Sequence, residues 1–426
     1  MEEIKPKESE KDIKKVKSKK NNKPKKWIKF RHRVVVFIAW IFVGTYLYIH
    51  GYRWKKLKKR KDKKPYLIFY NHQTVYDQFL LAGMSIPKTY FVMSDDLSSI
   101  KYVSGLLNFL VHPIPYKKAS TDFTILRNLK QVISEGGSVA ISVEGNRTYS
   151  GKTEYINPTA IRMMKFLKVP VVIARIEGGY GKYPRWAEKE RRGKTICYPY
   201  KIYEYEEYKD LPDDELYNII CKDLYIDEST PSGPYKSKKK AENLERVIYN
   251  CPHCGFTKFK TKDNTLSCTT CDLELEYTEY KQFEWIDKTK TEKVPFANVN
   301  EWYEFQKEEL LKMNLLEFDK SKVLFEDVCK FSEVQIRKKK NVLSESANVK
   351  LYCDRFEISY DNKVDVIKLD DISSSGVFGK NKFNIYVNKN IYQFKSDVSF
   401  NAMKYVNIIY KYKIEKGDEK DGFLGL

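Results

Sequence analysis

The stretch Asn71-His72-Gln73-Thr74-Val75-Tyr76-Asp77-Gln78-Phe79 follows directly on the apolar run Pro65-Tyr66-Leu67-Ile68-Phe69-Tyr70. A short apolar run that ends in a polar segment is the pattern of a buried strand, and His72 and Asp77 fall just past its end. On a continuous helix, residues five apart point about 140° away from each other. The two side chains therefore meet only where strand gives way to loop. In open α/β sheets that edge is where ligands bind, and a histidine backed by a carboxylate is suited to act as a general base.

Outward from this stretch, short apolar runs alternate with helix-length periodic segments as far as about residue 227, which predicts an α/β domain. Strands are expected at 66–70, 90–93, 138–143 and 169–176, the last almost wholly apolar, as a buried parallel strand should be. Helices are expected at 77–82, 123–135, 158–167 and 213–224, where Asp213 can cap and Leu216, Ile219, Ile220 and Leu224 share one face. Two further segments hold groups that could do chemistry. Glu144-Gly145-Asn146-Arg147-Thr148 offers a carboxylate, a glycine amide and a guanidinium in one turn, and His112-Pro113-Ile114-Pro115-Tyr116-Lys117-Lys118 ends in two lysines. Arginine binds phosphate bidentately, and a glycine amide can approach an oxyanion closely. Taken alone, each segment reads as readily as a solvated loop.

The chain has 426 residues, enough for two to four domains, with 42% hydrophobic and 14% aromatic content. That composition excludes a largely disordered chain. A formal charge of +21 points to an anionic partner, and a nucleic acid or an anionic membrane surface would each satisfy it. Four of the eight cysteines sit in one paired cluster, while Cys197, Cys221, Cys329 and Cys353 are scattered. This usage fits a reducing, cytosolic setting.

Residues 1–33 form a lysine-rich arm with almost nothing to bury, expected to be disordered. Residues 34–54 then read as a membrane-attaching helix. Its unbroken apolar core, 34–49, is about sixteen residues long where a clean span needs roughly twenty. Trp40, Tyr46, Tyr48 and Trp54 suit the headgroup level. Basic clusters flank it on both sides, so the positive-inside rule sets no orientation, and a helix lying in one leaflet stands beside a true span.

In order and spacing, the segments of 55–232 resemble the PlsC-type glycerolipid acyltransferase family, which includes the lysophosphatidic acid acyltransferases. The first family motif, Asn-His, four residues, then Asp, is met at Asn71, His72 and Asp77. The third, usually Glu-Gly-Thr-Arg-Ser, appears as Glu144-Gly145-Asn146-Arg147-Thr148. The second, usually Phe-Ile-Asp-Arg, stands as Ile114-Pro115-Tyr116-Lys117, which replaces the arginine fork with a point charge. A fourth, an apolar strand led in by proline, is matched by Val169-Pro170-Val171-Val172-Ile173. The resemblance implies transfer of a fatty acyl chain from acyl-CoA or acyl-ACP to the hydroxyl of 1-acyl-glycerol-3-phosphate, with phosphatidic acid as product. His72 would be the base and Asp77 its orienter. Asn71, Lys117, Glu144, Gly145, Asn146 and Arg147 would bind substrate, with Lys117 and Arg147 on the acceptor phosphate.

After a basic linker at 233–246 comes Cys251-Pro252-His253-Cys254, then thirteen residues, then Cys268-Thr269-Thr270-Cys271. Two CxxC pairs at this separation are a structural-zinc signature, and 247–290 resembles a zinc ribbon. A disulfide pair or an iron–sulfur cluster is the alternative, with His253 a spectator. Lys258, Lys260 and Lys262 on the intervening loop would suit RNA, but nothing else here reads bases. A structural or protein-docking role is expected, and nucleic acid is not. Residues 291–318 read as a helical connector anchored by Trp302, Phe305 and Leu310. From 319 to 414 the period falls to two. Strands are expected at 349–358, 364–369, 383–387 and 391–394, the last two joined by Asn388-Lys389-Asn390, with a closing helix at 399–411. That pattern is similar to a pleckstrin-homology-like β domain, and 415–426 is a frayed tail.

The expected architecture is an α/β acyltransferase domain with an N-terminal membrane helix, a small zinc ribbon and a C-terminal antiparallel β domain closed by a helix. The expected protein is membrane-associated, with its catalytic domain on the cytoplasmic face. Its partners would be membrane phospholipids, lysophosphatidic acid, acyl-carrier protein if that is the donor, and a protein at the ribbon or β domain. Two other readings stand beside it: an acyltransferase for another lysophospholipid, and a non-catalytic membrane scaffold binding protein or RNA through the ribbon.

Overall fold

The computed structural model describes residues 26–85, 88–94, 101–116, 124–334, 340–388 and 390–417. Most of the basic arm, the Lys117-Lys118 pair, Lys389 and most of the tail lie outside these.

The α/β domain is built on a seven-stranded sheet of β1 (Tyr52–Trp54), β2 (Leu67–Tyr70), β3 (Thr89–Ser94), β4 (Ile114–Tyr116), β5 (Ser138–Ser142), β6 (Val171–Glu177) and β7 (Thr195–Tyr203). They run in the order β1-β7-β6-β2-β5-β3-β4. All neighbours are parallel except β6 and β7. The central strand β2 is buried at every residue, as its unbroken apolar sequence requires. Helices α2 (Asp77–Met84), α3 (Lys101–Leu110), α4 (Thr124–Ser134), α5 (Thr159–Leu167) and α6 (Asp213–Leu224) accompany the sheet. The strand and helix positions agree with expectation to within a few residues. Strands β1, β4 and β7 and helix α3 were not anticipated.

The N-terminal helix α1 runs from Phe30 to Ile49, not from 34 to 54. Gly51 ends it in a left-handed turn at φ +85°, where a Cβ would lie 2.5 Å from the Gly193 carbonyl oxygen. Tyr52 can then enter the sheet beside Thr195. Helix α1 is long and apolar enough to cross a membrane, yet both of its ends are tied to the α/β domain. Before it, the Trp27 and Ile28 amides donate to the Glu135 carboxylate at 2.9 and 2.8 Å. Beyond it, Tyr52 is fully buried in the sheet. Leu47, Gly44 and His32 face inward, and Trp40 packs on the edge of Trp54. Outward, Phe37 is 68% and Phe42 72% exposed.

Residues 233–246 are no loose linker. Tyr235, Ala241, Leu244 and Arg246 are buried, and Arg192 and Lys236 exchange backbone hydrogen bonds. Small residues explain the packing, since a Cβ on Gly181 or Gly193 would lie 2.3 Å from the Tyr235 ring. The ribbon follows as a hairpin of β8 (Asn250–Cys251) and β9 (Gly255–Phe256), then a four-stranded antiparallel sheet of β10 (Phe259–Lys262), β11 (Thr265–Cys268), β12 (Glu274–Tyr277) and β13 (Phe283–Trp285). Lys260 and Lys262 thus lie on a strand rather than a loop, and Lys258 pairs with Asp327 at 3.0 Å.

Helix α7 (Val299–Lys312) is capped by the Asn298 side chain, which accepts from the Glu301 amide. The C-terminal unit has β14 (Phe325–Glu333), β15 (Asn341–Leu351), β16 (Arg355–Tyr360), β17 (Lys363–Lys368), β18 (Ile372–Val377), β19 (Lys382–Val387) and β20 (Asn390–Lys395). They form one antiparallel sheet in the order β17-β16-β15-β14-β20-β19-β18. The single strand expected at 349–358 is two strands, because the chain turns at 352–354 and Tyr352 donates to the Arg355 carbonyl at 2.8 Å. Helix α8 starts at Met403 and runs to Lys416. It buries Met403, Tyr405, Ile408 and Ile409, and the Phe383 ring stacks on Tyr405 at 4.9 Å.

Ribbon, α7 and C-terminal sheet share one hydrophobic core, which also takes in Trp186 from the α/β domain. Trp302 is its clearest joint. It is fully buried, donates from Nε1 to the Asn250 carbonyl at 2.8 Å, and packs against Phe259, Phe283 and Phe296. Trp302→Ala is therefore expected to cost about 3–5 kcal/mol, read as an earlier urea midpoint. A loss below about 1 kcal/mol would mean that the joint is not packed as described.

Candidate active site

Strand β2 delivers Asn71 and His72 to the C-terminal edge of the sheet, between the loops that follow β5 and β6. Asn71 extends the strand with its side chain. Its Nδ2 donates to the Ile176 carbonyl at 2.8 Å and its Oδ1 accepts from the Ile176 amide at 2.7 Å. A primary amide carries the same donor and acceptor pair as a peptide, so this one continues the β2–β6 ladder where the main chain leaves it. Asn71 is 1% exposed with both ends engaged, which makes it a fastener of the loop.

The loop 72–76 then folds over the start of α2. Asp77 is fully buried, and its carboxylate accepts from the Gln73 and Thr74 amides, the Thr74 hydroxyl and His72 Nδ1. A buried carboxylate requires such donors. The His72 Nδ1 to Asp77 Oδ2 distance is 2.7 Å, and the imidazole remains 17% exposed. An Nδ1–H donated to Asp77 places the lone pair of the neutral imidazole on Nε2. The expected meeting of these two residues is thus the geometry found.

The Glu144 loop holds His72 by its backbone. Glu144 Oε1 accepts from the His72 amide at 2.7 Å and Oε2 from the Glu154 amide at 2.8 Å, while the Thr148 amide donates to the His72 carbonyl at 3.1 Å. Burial pushes the Glu144 carboxyl well above the usual range, opposed by these amides. Glu144, 3% exposed, is accordingly a latch between two loops. Gly145 turns the chain at φ +74° and is exposed, and Asn146 and Arg147 are half-buried beside it. Desolvation, with the neighbouring Arg185 guanidinium, pulls Arg147 down to about 10, against the Asp77 carboxylate. It remains a cation at neutral pH, and no carboxylate pairs with it among the described residues. Lys117 lies outside them.

Three residues joined to the site were not anticipated. Gln73 Oε1 accepts from the Tyr180 amide at 2.7 Å, Thr74 buttresses Asp77, and Arg185 donates to the Arg147 carbonyl at 3.1 Å. A signal for the first was present in Gly178-Gly179-Tyr180-Gly181. A Cβ on Gly179 would lie 2.7 Å from that of Gln73, and a glycine run after a strand marks close backbone approach.

A second cluster brings together Cys251, Cys254, Cys268 and Cys271, whose sulfurs all lie within 4.8 Å of one another. The Cys251–Cys271 and Cys254–Cys268 sulfurs are 3.6 Å apart. Such a set could hold a metal ion, whereas a disulfide needs about 2.05 Å. The other four cysteines are free, three of them buried.

The family model described as Acyltransferase matches residues 52–177. No curated protein matches the chain. Among solved structures, the 1-acyl-sn-glycerophosphate (LPA) acyltransferase PlsC of Thermotoga maritima is similar at 17% identity, over 45% of this chain and 75% of that one, with a TM-score of 0.37. Inner membrane complex sub-compartment protein 3 of Toxoplasma gondii is similar at 15% identity, over 26% of this chain and 87% of that one, with a TM-score of 0.17. Strand β1 opens the matched segment and β6 closes it, and within it lie the His72–Asp77 pair and its Glu144 latch: residues 52–177 are an acyltransferase domain.

Proposed function

We propose that the chain transfers a fatty acyl group from a thioester, acyl-CoA or acyl-ACP, to the hydroxyl of 1-acyl-glycerol-3-phosphate. The observation that carries this reading is the His72 Nδ1 to Asp77 Oδ2 bond of 2.7 Å, which leaves Nε2 as the basic atom at the sheet edge. An alcohol is a poor nucleophile near neutral pH, and a base within hydrogen-bond reach overcomes this. His72 Nε2 takes the hydroxyl proton as the oxygen attacks the thioester carbonyl, while Asp77 stabilises the imidazolium. Collapse of the tetrahedral intermediate breaks the C–S bond, and the thiolate recovers the proton from His72. No serine or cysteine nucleophile is required. The backbone at Gly145 suits an oxyanion, and the unpaired cation Arg147 suits the acceptor phosphate, with Lys117 as a second charge.

Membrane association is supported by α1. A helix of this length is about 30 Å long, and one tied at both ends to a single domain lies along that domain. Its exposed aromatic face then suits the interfacial layer of one leaflet. Four free thiols outside the cluster suit the cytoplasmic face. The Cys251, Cys254, Cys268 and Cys271 set is read as a structural zinc site: tetrahedral Zn–S bonds of about 2.3 Å place sulfurs about 3.8 Å apart. Thiolate ligands would close all four positions, leaving none for substrate. The pleckstrin-homology-like reading of 319–414 is supported by the seven antiparallel strands with one closing helix, and the ribbon and this unit remain the candidate docking faces for a protein.

His72→Ala is expected to lower transfer from a labelled thioester to lysophosphatidic acid by a factor on the order of 10³ with the fold retained; a folded variant keeping most of its activity would falsify the mechanism. Treatment with a zinc chelator is expected to release one zinc per chain and to lower the melting temperature by several degrees, as loss of a structural metal does. An unchanged melting curve after metal release would remove the structural role. Phe37→Glu with Phe42→Glu should cut sedimentation with anionic vesicles severalfold, since each charge opposes interfacial burial; equal sedimentation would move attachment elsewhere.

A further inference from the structure

The loop between β6 and β7 leaves the catalytic sheet beside Arg147 and meets the C-terminal unit before it returns. Arg185, on this loop, is 4% exposed. Its Nη1 donates to the Arg147 carbonyl and its Nη2 to the Val377 carbonyl at the end of β18, both at 3.1 Å. Its guanidinium lies 4.1 Å over the Tyr149 ring. One rigid fork thus spans the Glu144–Thr148 loop and a strand 230 residues further on. The residues after it are held the same way. Arg246 donates to the Trp186 carbonyl at 2.7 Å, Lys380 from the β18–β19 turn donates to the Ala187 carbonyl at 2.6 Å, and Glu188 pairs with both cations.

The charges on this joint are unevenly matched. Glu188 answers Arg246 and Lys380, whereas no carboxylate pairs with Arg185 or Arg147 among the described residues. Two carbonyls satisfy the Arg185 hydrogen bonds without neutralising its charge. A buried cation behind Arg147 favours an anion that reaches the half-buried Arg147 side chain. Desolvation first, and the Arg185 charge second, lower the Arg147 pKa.

We propose that Arg185 is a positioning residue for acceptor recognition: it fixes Arg147 through its main chain, adds charge beside it, and makes affinity for a phosphate monoester depend on docking of the C-terminal unit. The inference rests on the acyl-transfer reading for its substrate but not for its measurement. Lysine at 185 keeps the charge but cannot span two carbonyls, and glutamine removes the charge. In the full chain, Arg185→Gln should raise the acceptor KM and the calorimetric Kd for glycerol 3-phosphate about tenfold, as the charge behind Arg147 and the hold on its main chain are lost together. The donor KM should stay unchanged, and Arg185→Lys should recover part of the loss. Lys380→Ala removes a hydrogen bond and an ion pair of the joint, and with them a cation near Arg147, and should weaken the same two constants about threefold. Lys330→Ala, which breaks a surface pair with Glu345 elsewhere on the C-terminal sheet, should change neither. Folded Arg185→Gln and Lys380→Ala proteins with wild-type acceptor KM and Kd, or with equal effects on donor and acceptor, overturn the proposal. Should the wild type bind glycerol 3-phosphate yet transfer nothing, the acyl-transfer reading falls, and loss of that binding in Arg185→Gln still supports this one.

Discussion

A carboxylate with no access to water must be given hydrogen bonds by its surroundings, and around Asp77 that requirement shapes the whole end of the sheet. The donors are the amides of Gln73 and Thr74, a hydroxyl and one imidazole nitrogen. To supply them the chain must leave β2 abruptly, and Asn71 makes this affordable by substituting its own amide for the lost ladder bonds to Ile176. The loop so formed has its outer backbone face satisfied by Glu144 and Thr148. His72 is thereby fixed through its ring and through both of its backbone polar groups. In the proposed role of base, a side chain held at so many points would be oriented before substrate arrives, which is what general-base catalysis needs.

The same logic of buried polar atoms joins the two halves. Arg185 and Arg246 sit almost wholly out of water and spend their donors on carbonyls across the joint, and Lys281, fully buried, donates to the Glu228 carbonyl. Buried groups of this kind are costly to strand, so the joint should open as a unit or not at all. With one hydrophobic core running from Trp186 through the ribbon to α8, the modules of the sequence are not beads on a string.

What could be read from sequence was local. The spacing of His72 and Asp77 and the paired CxxC signatures each bring side chains together within a few residues, and both sets meet in space as expected. The central strands were legible because burial on both faces leaves an unbroken apolar run. Roles set by partners far along the chain were not legible. Asn71 and Glu144 looked like substrate ligands, yet Asn71 bonds Ile176, 105 residues away, and Glu144 bonds the His72 amide. Arg185 lies in a loop whose partner strand comes much later. The turn at 352–354 showed in the sequence only as a change of phase, from Val349, Leu351 and Cys353 to Phe356 and Ile358, all buried. The basic residues of 233–246 hid a buried Tyr235.

The two-ended anchoring of α1 has a kinetic meaning. A domain on a flexible tether samples all tilts above a surface, whereas one whose apolar helix is pinned by Glu135 before it and by β1 after it presents the same side every time. On a bilayer, the sheet edge bearing His72 would keep one height and one bearing. Lipid acceptors would then arrive by lateral diffusion, so the turnover rate would follow their mole fraction in the surface rather than their bulk concentration.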